Sequence, residues 1–209
     1  MARNIKANCK LCRRAGDKLF LKGERCDSSK CAMVKKNYPP GLHGPKGRGR
    51  ISGYGERLRE KQKAKQIYGV FEKQFRNYFE KAQRKKGNSA ENMLRFLELR
   101  LDNVVFRANF ASSRKKARQI VNHGHIKVNG KKASIASYQV KVNDEISVNE
   151  KSLNNKIFQE LKKTLGKKEA VKWITVDKDK LSFKINALPD TKDLESQIAI
   201  NLIIEYYSR

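Results

Sequence analysis

Apolar positions recur at helical spacing through the first part of the chain and alternate at several places beyond residue 124. Phe71, Phe75, Tyr78, Phe79 and Ala82 share one side of a 3.6-residue period, predicting a helix with an aromatic face turned to a core. Arg84, Lys85, Lys86 and Gly87 end it, with cations at its negative pole. Asn88-Ser89 can cap the next helix, over 90–101, whose inward stripe is Met93, Leu94, Leu97 and Leu101. Residues 54–68 have helical composition but a poor stripe. Leu58 and Ile67 stand among Arg57, Arg59, Glu60, Lys61, Lys63 and Lys65, so an external partner is expected along one face. Gly69 closes this segment.

The second half changes pattern. Ser112 or Ser113 caps a short helix that ends near Asn122 and is stopped by Gly124. Ala117, Ile120 and Val121 share its apolar face. Lys115, Arg118, Gln119 and Asn122 fall opposite, flanked by Arg114, Lys116 and His123. His125-Ile126-Lys127-Val128 then alternates as a strand, Asn129-Gly130 is a strong hairpin signal, and Lys131-Lys132-Ala133 begins the return. Further strands are predicted over 137–142, 145–148, 173–176 and 181–185, with a helix near 157–165. Helices followed by antiparallel strands make the expected fold class α+β.

Composition supplies a partner. The 209 residues are 38% hydrophobic, enough for a modest core, yet 48 Lys and Arg face 21 Asp and Glu, a net charge of +27 with a pI near 10.1. Such an excess repels itself in a compact state unless a polyanion neutralises it, and nucleic acid is the usual one. No apolar run approaches 18 residues, so a membrane is not expected. The basic stretch 1–10 lacks the apolar run of a signal peptide, so the chain is expected in the cytoplasm. Residues 1–50 hold 14 basic side chains against 3 acidic ones, making this stretch the most dependent on a polyanion.

All four cysteines lie in that stretch. Cys9, Cys12, Cys26 and Cys31 form C-x2-C and C-x4-C pairs, which in a reducing compartment read as a four-thiolate metal site rather than disulfides. Zinc is the expected ion, with an iron–sulfur cluster as the alternative on the same ligands. Four protein ligands leave no open position, so the role is structural. The Gly- and Pro-rich run that follows, with Lys35, Lys36, His43, Lys46, Arg48 and Arg50, suits close approach to phosphates. The candidate RNA contacts continue with Tyr54, Arg57, Arg59, Lys61 and Lys63, then Arg114, Lys115, Lys116, Arg118, Gln119, His123, His125, Lys127, Asn129 and Lys131. Arg114, Lys115, Lys116 and Arg118, fixed on a packed helix, are expected to matter more than the equally charged Lys162, Lys163, Lys167 and Lys168.

Several ordered stretches resemble one family. They are the cysteine pairs, Pro39-Pro40-Gly41-Leu42-His43-Gly44, Tyr54-Gly55, Glu60-Lys61-Gln62-Lys63, Tyr68-Gly69-Val70, Leu101-Asp102-Asn103-Val104-Val105-Phe106-Arg107, the run from Ser113 to Gly130, and Ile204-Glu205-Tyr206-Tyr207-Ser208-Arg209. Together they closely resemble the S-four family of small-subunit ribosomal proteins. The chain departs from the family at 196–201 and matches it loosely over 150–193. The resemblance implies a metal-stapled arm over 1–50, a helical domain over 51–96 completed by a C-terminal helix in 190–209, and an inserted RNA-binding domain with an antiparallel sheet over 97–189. It implies a monomer within the cytoplasmic small ribosomal subunit. That monomer binds the five-prime domain of small-subunit ribosomal RNA early in assembly, influences decoding accuracy and contacts the subunit's fifth protein. The alternative function is a zinc-stapled DNA-binding regulator, but no dimerisation heptads accompany the basic helix. No nucleophile–base pair, phosphate-binding glycine loop or open metal site is evident, so no enzyme is expected.

Overall fold

A computed structural model describes residues 5–47, 49–165, 170–189 and 198–208. The chain divides into two compact units, Met1–Met93 with Glu195–Arg209, and Leu94–Leu194. No helix among the described residues is long and apolar enough to cross a membrane.

The first unit begins with short helices, α1 (Asn8–Ala15), α2 (Glu24–Asp27) and α3 (Ala32–Lys35), and a 3-10 turn at Gly44–Lys46. Arg13 organises the following loop: its Nε donates to the Tyr38 carbonyl at 2.8 Å, and its guanidinium lies 4.6 Å from the Tyr38 ring centre. Gly44 is forced by the same loop, because a Cβ there would stand 2.0 Å from the Pro39 carbonyl oxygen.

Helix α4 (Gly53–Tyr68) is capped by Ser52, whose hydroxyl accepts from Gly55 N, and stopped by Gly69 at φ 63°. It is held from within the protein. Helix α10 (Ile200–Tyr207) packs along it, and two lysines join Ala64, Ile67 and Tyr68 on its buried face. Lys61, 5% exposed, donates to Glu72 at 2.9 Å and sits 4.2 Å from the Tyr206 ring centre. Lys63 pairs with Asp17 at 2.7 Å, and Arg57 with Glu205 at 2.7 Å. The expected external partner along α4 is therefore replaced over these positions by carboxylates and aromatic rings of the same unit. Burial alone would raise the Glu72 carboxyl, but hydrogen bonds from Lys65, Tyr207 and Lys61 outweigh it and bring its pKa down to about 2.

Helix α5 (Glu72–Arg84) follows the predicted period. Phe75, Tyr78, Phe79 and Ala82 are buried, while Phe71 is the N-cap and 42% exposed. Helix α6 (Ser89–Glu98) starts as expected, with Asn88 Oδ1 accepting from Ala90 N, but stops before residue 101; Leu101 instead opens α7 (Leu101–Arg107).

In the second unit, Ser113 caps α8 (Arg114–Asn122), accepting from Lys116 N. The strands are β1 (Ile126–Val128), β2 (Lys131–Ala133), β3 (Glu145–Val148), β4 (Ile174–Asp177) and β5 (Ser182–Ile185), and α9 spans Lys156–Thr164. They form one antiparallel sheet, ordered β2-β1-β3-β5-β4. Asn129 and Gly130 both have positive φ, 49° and 77°, as a two-residue turn of the right twist requires. The strand predicted over 137–142 does not form. That segment folds through a turn and pairs only at Gln139, with Arg100, because its partners are the ends of α6 and α7 rather than a strand. Ile126, Val128, Ile146, Phe183 and Ile185 pack with Val104, Val105, Ala117, Ile120 and Val121 in the unit's core.

Candidate nucleic-acid interface

Helix α8 carries the densest run of predicted contacts, and a buried polar network holds the helix through Arg114 and Arg118. Glu98, fully buried, accepts from Arg107 through both oxygens, at 2.9 and 2.7 Å, and from Asn103 Nδ2 at 2.7 Å. Asn103 Oδ1 accepts from Arg114 Nε at 2.7 Å, and the Arg114 guanidinium lies 4.7 Å from the Phe106 ring centre. Beside this, Arg100, 0% exposed, makes a two-pronged pair with Asp102 at 3.0 and 2.7 Å, and Arg118 approaches the same carboxylate at 3.9 Å. The helical wheel puts Arg118 on the outer face. It lies inward because Asp102 waits beneath it, so Arg114 and Arg118 clamp α8 to α7. Asp102 and Arg107 are both members of this buried network. Lys115, Lys116 and Gln119 remain exposed.

Past α8 the chain turns through His123, exposed, and Gly124 at φ 72° to His125. His125 Nδ1 lies 2.8 Å from the Ser152 hydroxyl, and the two imidazoles stand 5.9 Å apart. Burial first, then His123 and Lys132, push the His125 pKa below its ordinary value. Lys127 pairs with Glu150 at 2.8 Å. Asn129 serves the hairpin: its amide donates to Asp144 at 2.8 Å and its carbonyl accepts from Glu145 N at 2.9 Å. Lys131 is exposed. Lys132, which the sequence pattern did not single out, is brought beside the histidines. The register of a hairpin centred on Asn129-Gly130 was the signal that could have found it.

In the first unit Lys35, Lys36, His43, Lys46, Arg50, Tyr54 and Arg59 are exposed, as an RNA-facing role requires. Lys61 and Lys63 are buried, and Arg57 is half-buried in its pair with Glu205. Arg48, Lys167 and Lys168 lie outside the described residues.

The four thiols line a single cavity of about 20 Å³, with Leu21 and Met33 among its other walls. Lys22 N donates to Cys26 Sγ at 3.4 Å. Burial, and then the neighbouring Cys26, Cys9 and Cys31, raise the Cys12 pKa, although a backbone hydrogen bond at Leu19 opposes them. As placed, no three His, Cys, Asp or Glu side chains among the described residues are arranged to hold a metal ion. Fit to a metal therefore rests on the donor set and the shared cavity.

Comparison with known proteins decides the family. Residues 3–98 match the ribosomal protein S4/S9 N-terminal domain, and residues 99–146 match the S4 domain. Small ribosomal subunit protein uS4A of Alkaliphilus metalliredigens is 53% identical over 209 residues, covering 100% of both chains. The uS4 proteins of Natranaerobius thermophilus and Caldicellulosiruptor bescii are each 51% identical, again over the full length of both chains. The chain belongs to the uS4 family of small-subunit ribosomal proteins. Within this uS4 chain the S4-domain match contains α7, α8, β1 and β2, the elements that hold the basic helix and the histidine pair. Nothing in these matches supports the DNA-binding alternative.

Proposed function

We propose that this chain is a structural protein of the small ribosomal subunit. It binds the five-prime domain of small-subunit ribosomal RNA as a primary binder, nucleates assembly there, contacts the fifth protein of the subunit and influences decoding accuracy. It acts without catalysis. The observation that carries this reading is the full-length uS4 match together with an α8 that Arg114 and Arg118 clamp to α7 with Lys115 and Lys116 facing out. Such a surface loses little freedom when it meets phosphates.

The test is equilibrium binding of a five-prime-domain RNA with no other protein present. The intact chain should bind it in preference to an RNA of equal length from another domain. Changing Lys115 and Lys116 to Gln should weaken binding well beyond the effect of changing Lys162 and Lys163. Both pairs remove two exposed charges, so equal losses would show that only net charge holds the protein to RNA.

The arm is proposed to hold one structural zinc ion through Cys9, Cys12, Cys26 and Cys31. Bound there, the ion would cross-link segments whose buried apolar side chains, among the described residues, include just Leu19, Leu21 and Met33 beside the thiols. Protein purified anaerobically should contain about one zinc per chain, as a four-ligand structural site requires. Chelation should loosen residues 5–47 to proteolysis while the Trp173 emission of the second unit stays unchanged. Purified chain with far less than one metal, or an arm equally protected after chelation, would overturn the metal reading.

A further inference from the structure

Asn129-Gly130 is the one Asn-Gly pair of the chain, and such a pair carries its own chemistry. A glycine amide nitrogen, with no Cβ beside it, can reach the side-chain carbon of the asparagine before it. The Gly130 nitrogen gives up its proton and bonds to Asn129 Cγ. The Cγ–Nδ2 bond breaks, and Nδ2 leaves as ammonia. Water then opens the five-membered imide at either carbonyl, giving aspartate or isoaspartate. Both residues are exposed, so solvent reaches them freely.

The fold nevertheless ties Asn129 at three points. The β1–β3 register sets Val128 against Ile146, and one step further it brings Asn129 opposite Glu145. Asn129 N donates to the Glu145 carbonyl at 2.8 Å, as in a strand pair. The chain turns away here at φ 49°, and Asn129 Oδ1 stands in for the backbone carbonyl, accepting from Glu145 N at 2.9 Å. Nδ2, the group that would leave, donates to Asp144 Oδ1 at 2.8 Å. Asp144 is itself held, its other oxygen accepting from Lys141 N at 2.8 Å. Closing the imide draws Cγ onto Gly130 N, and both carboxamide bonds hold it back.

We propose that Asn129 is a deamidation site that this clamp to Asp144 and Glu145 holds shut, so that it reacts in a chain whose clamp has released. The product does not restore the clamp. Aspartate or isoaspartate sets a second carboxylate beside Asp144, and isoaspartate also lengthens the turn backbone by a methylene. A two-residue turn of this twist does not tolerate that extra length.

The test follows isoaspartate content and the mass gain of the Asn129 peptide in the full chain, incubated in mildly alkaline buffer with and without guanidinium chloride. The native chain should convert about tenfold or more slowly than the denatured one, the effect of several hydrogen bonds that must give way. Asp144→Ala in native buffer, with Trp173 emission showing a folded unit, should convert about 2- to 10-fold faster than the intact chain, the rate equivalent of one hydrogen bond. Asn88-Ser89 of the first unit, where Asn88 Oδ1 accepts from Ala90 N, is the internal control and should keep its rate in that variant. Equal conversion of Asn129 in native and denatured chains overturns the proposal, and that comparison needs no variant. A folded Asp144→Ala that converts at the intact chain's rate also overturns it, since the clamp would then protect nothing.

Discussion

Between roughly 50 and 200 mM salt, the affinity of this chain for small-subunit ribosomal RNA is expected to fall about 10³- to 10⁵-fold, the loss that follows from roughly 6–10 phosphate contacts. Each neutralised phosphate releases condensed counterions, and added salt opposes that release. The structure narrows which cations contribute. Lys61, Lys63 and Arg118 are buried on carboxylates and cannot serve. Lys35, Lys36, Lys46, Arg50, Arg59, Lys115, Lys116 and Lys131 are exposed, and these eight fall within the required range. Fluorescence anisotropy of labelled RNA across the salt series measures the slope directly. A nearly flat profile would contradict a phosphate-dominated interface.

Replacing Asp102 by Ala is expected to cost the second unit about 3–5 kcal/mol, because it leaves a charge buried without its partner. Arg100 is 0% exposed and directs two nitrogens at Asp102, so its charge stays buried when the carboxylate is removed. Arg118 loses the same anchor. Trp173 is the sole tryptophan of the chain and is 3% exposed in the core of this unit, so urea unfolding followed by its emission reports this unit alone. Changing Arg100 to Met together with Asp102 to Leu should cost less, because Arg100 is no longer stranded and Arg118 alone loses its carboxylate. A loss below about 1 kcal/mol for Asp102→Ala would show that the pair behaves like a surface salt bridge.

Where periodicity and turn chemistry act locally, the sequence was legible. The aromatic row of α5, the Ser113 cap of α8 and the Asn129-Gly130 hairpin need only neighbours in the chain. Helix α4 was legible as a helix over 54–68, but its packing was not, because Lys61 and Lys63 join Ala64, Ile67 and Tyr68 on the buried face and take their cover from Tyr206 and Asp17. No helical wheel weighs a lysine as core. The same limit hid the inward turn of Arg118, which depends on Asp102 sixteen positions earlier. Alternation over 137–142 misled for the opposite reason: the pattern was present but its partner was not a strand. At the candidate interface the clustered cations pointed to RNA, while their division into clamps and contacts required the tertiary network.

Helix α10 completes the face of α4 although it lies far downstream in the chain, and this sets a clock on synthesis. At about 5–20 residues per second, roughly 7–26 seconds separate the end of α4 at Tyr68 from the start of α10 at Ile200. Throughout that interval Arg57 has no Glu205, and Lys61 has Glu72 but neither tyrosine ring. The nascent chain thus carries a half-built helix pair while all the strands of the second unit are being made. Growing ribosomes would meet a newborn copy whose own fold closes only with its last turn of helix.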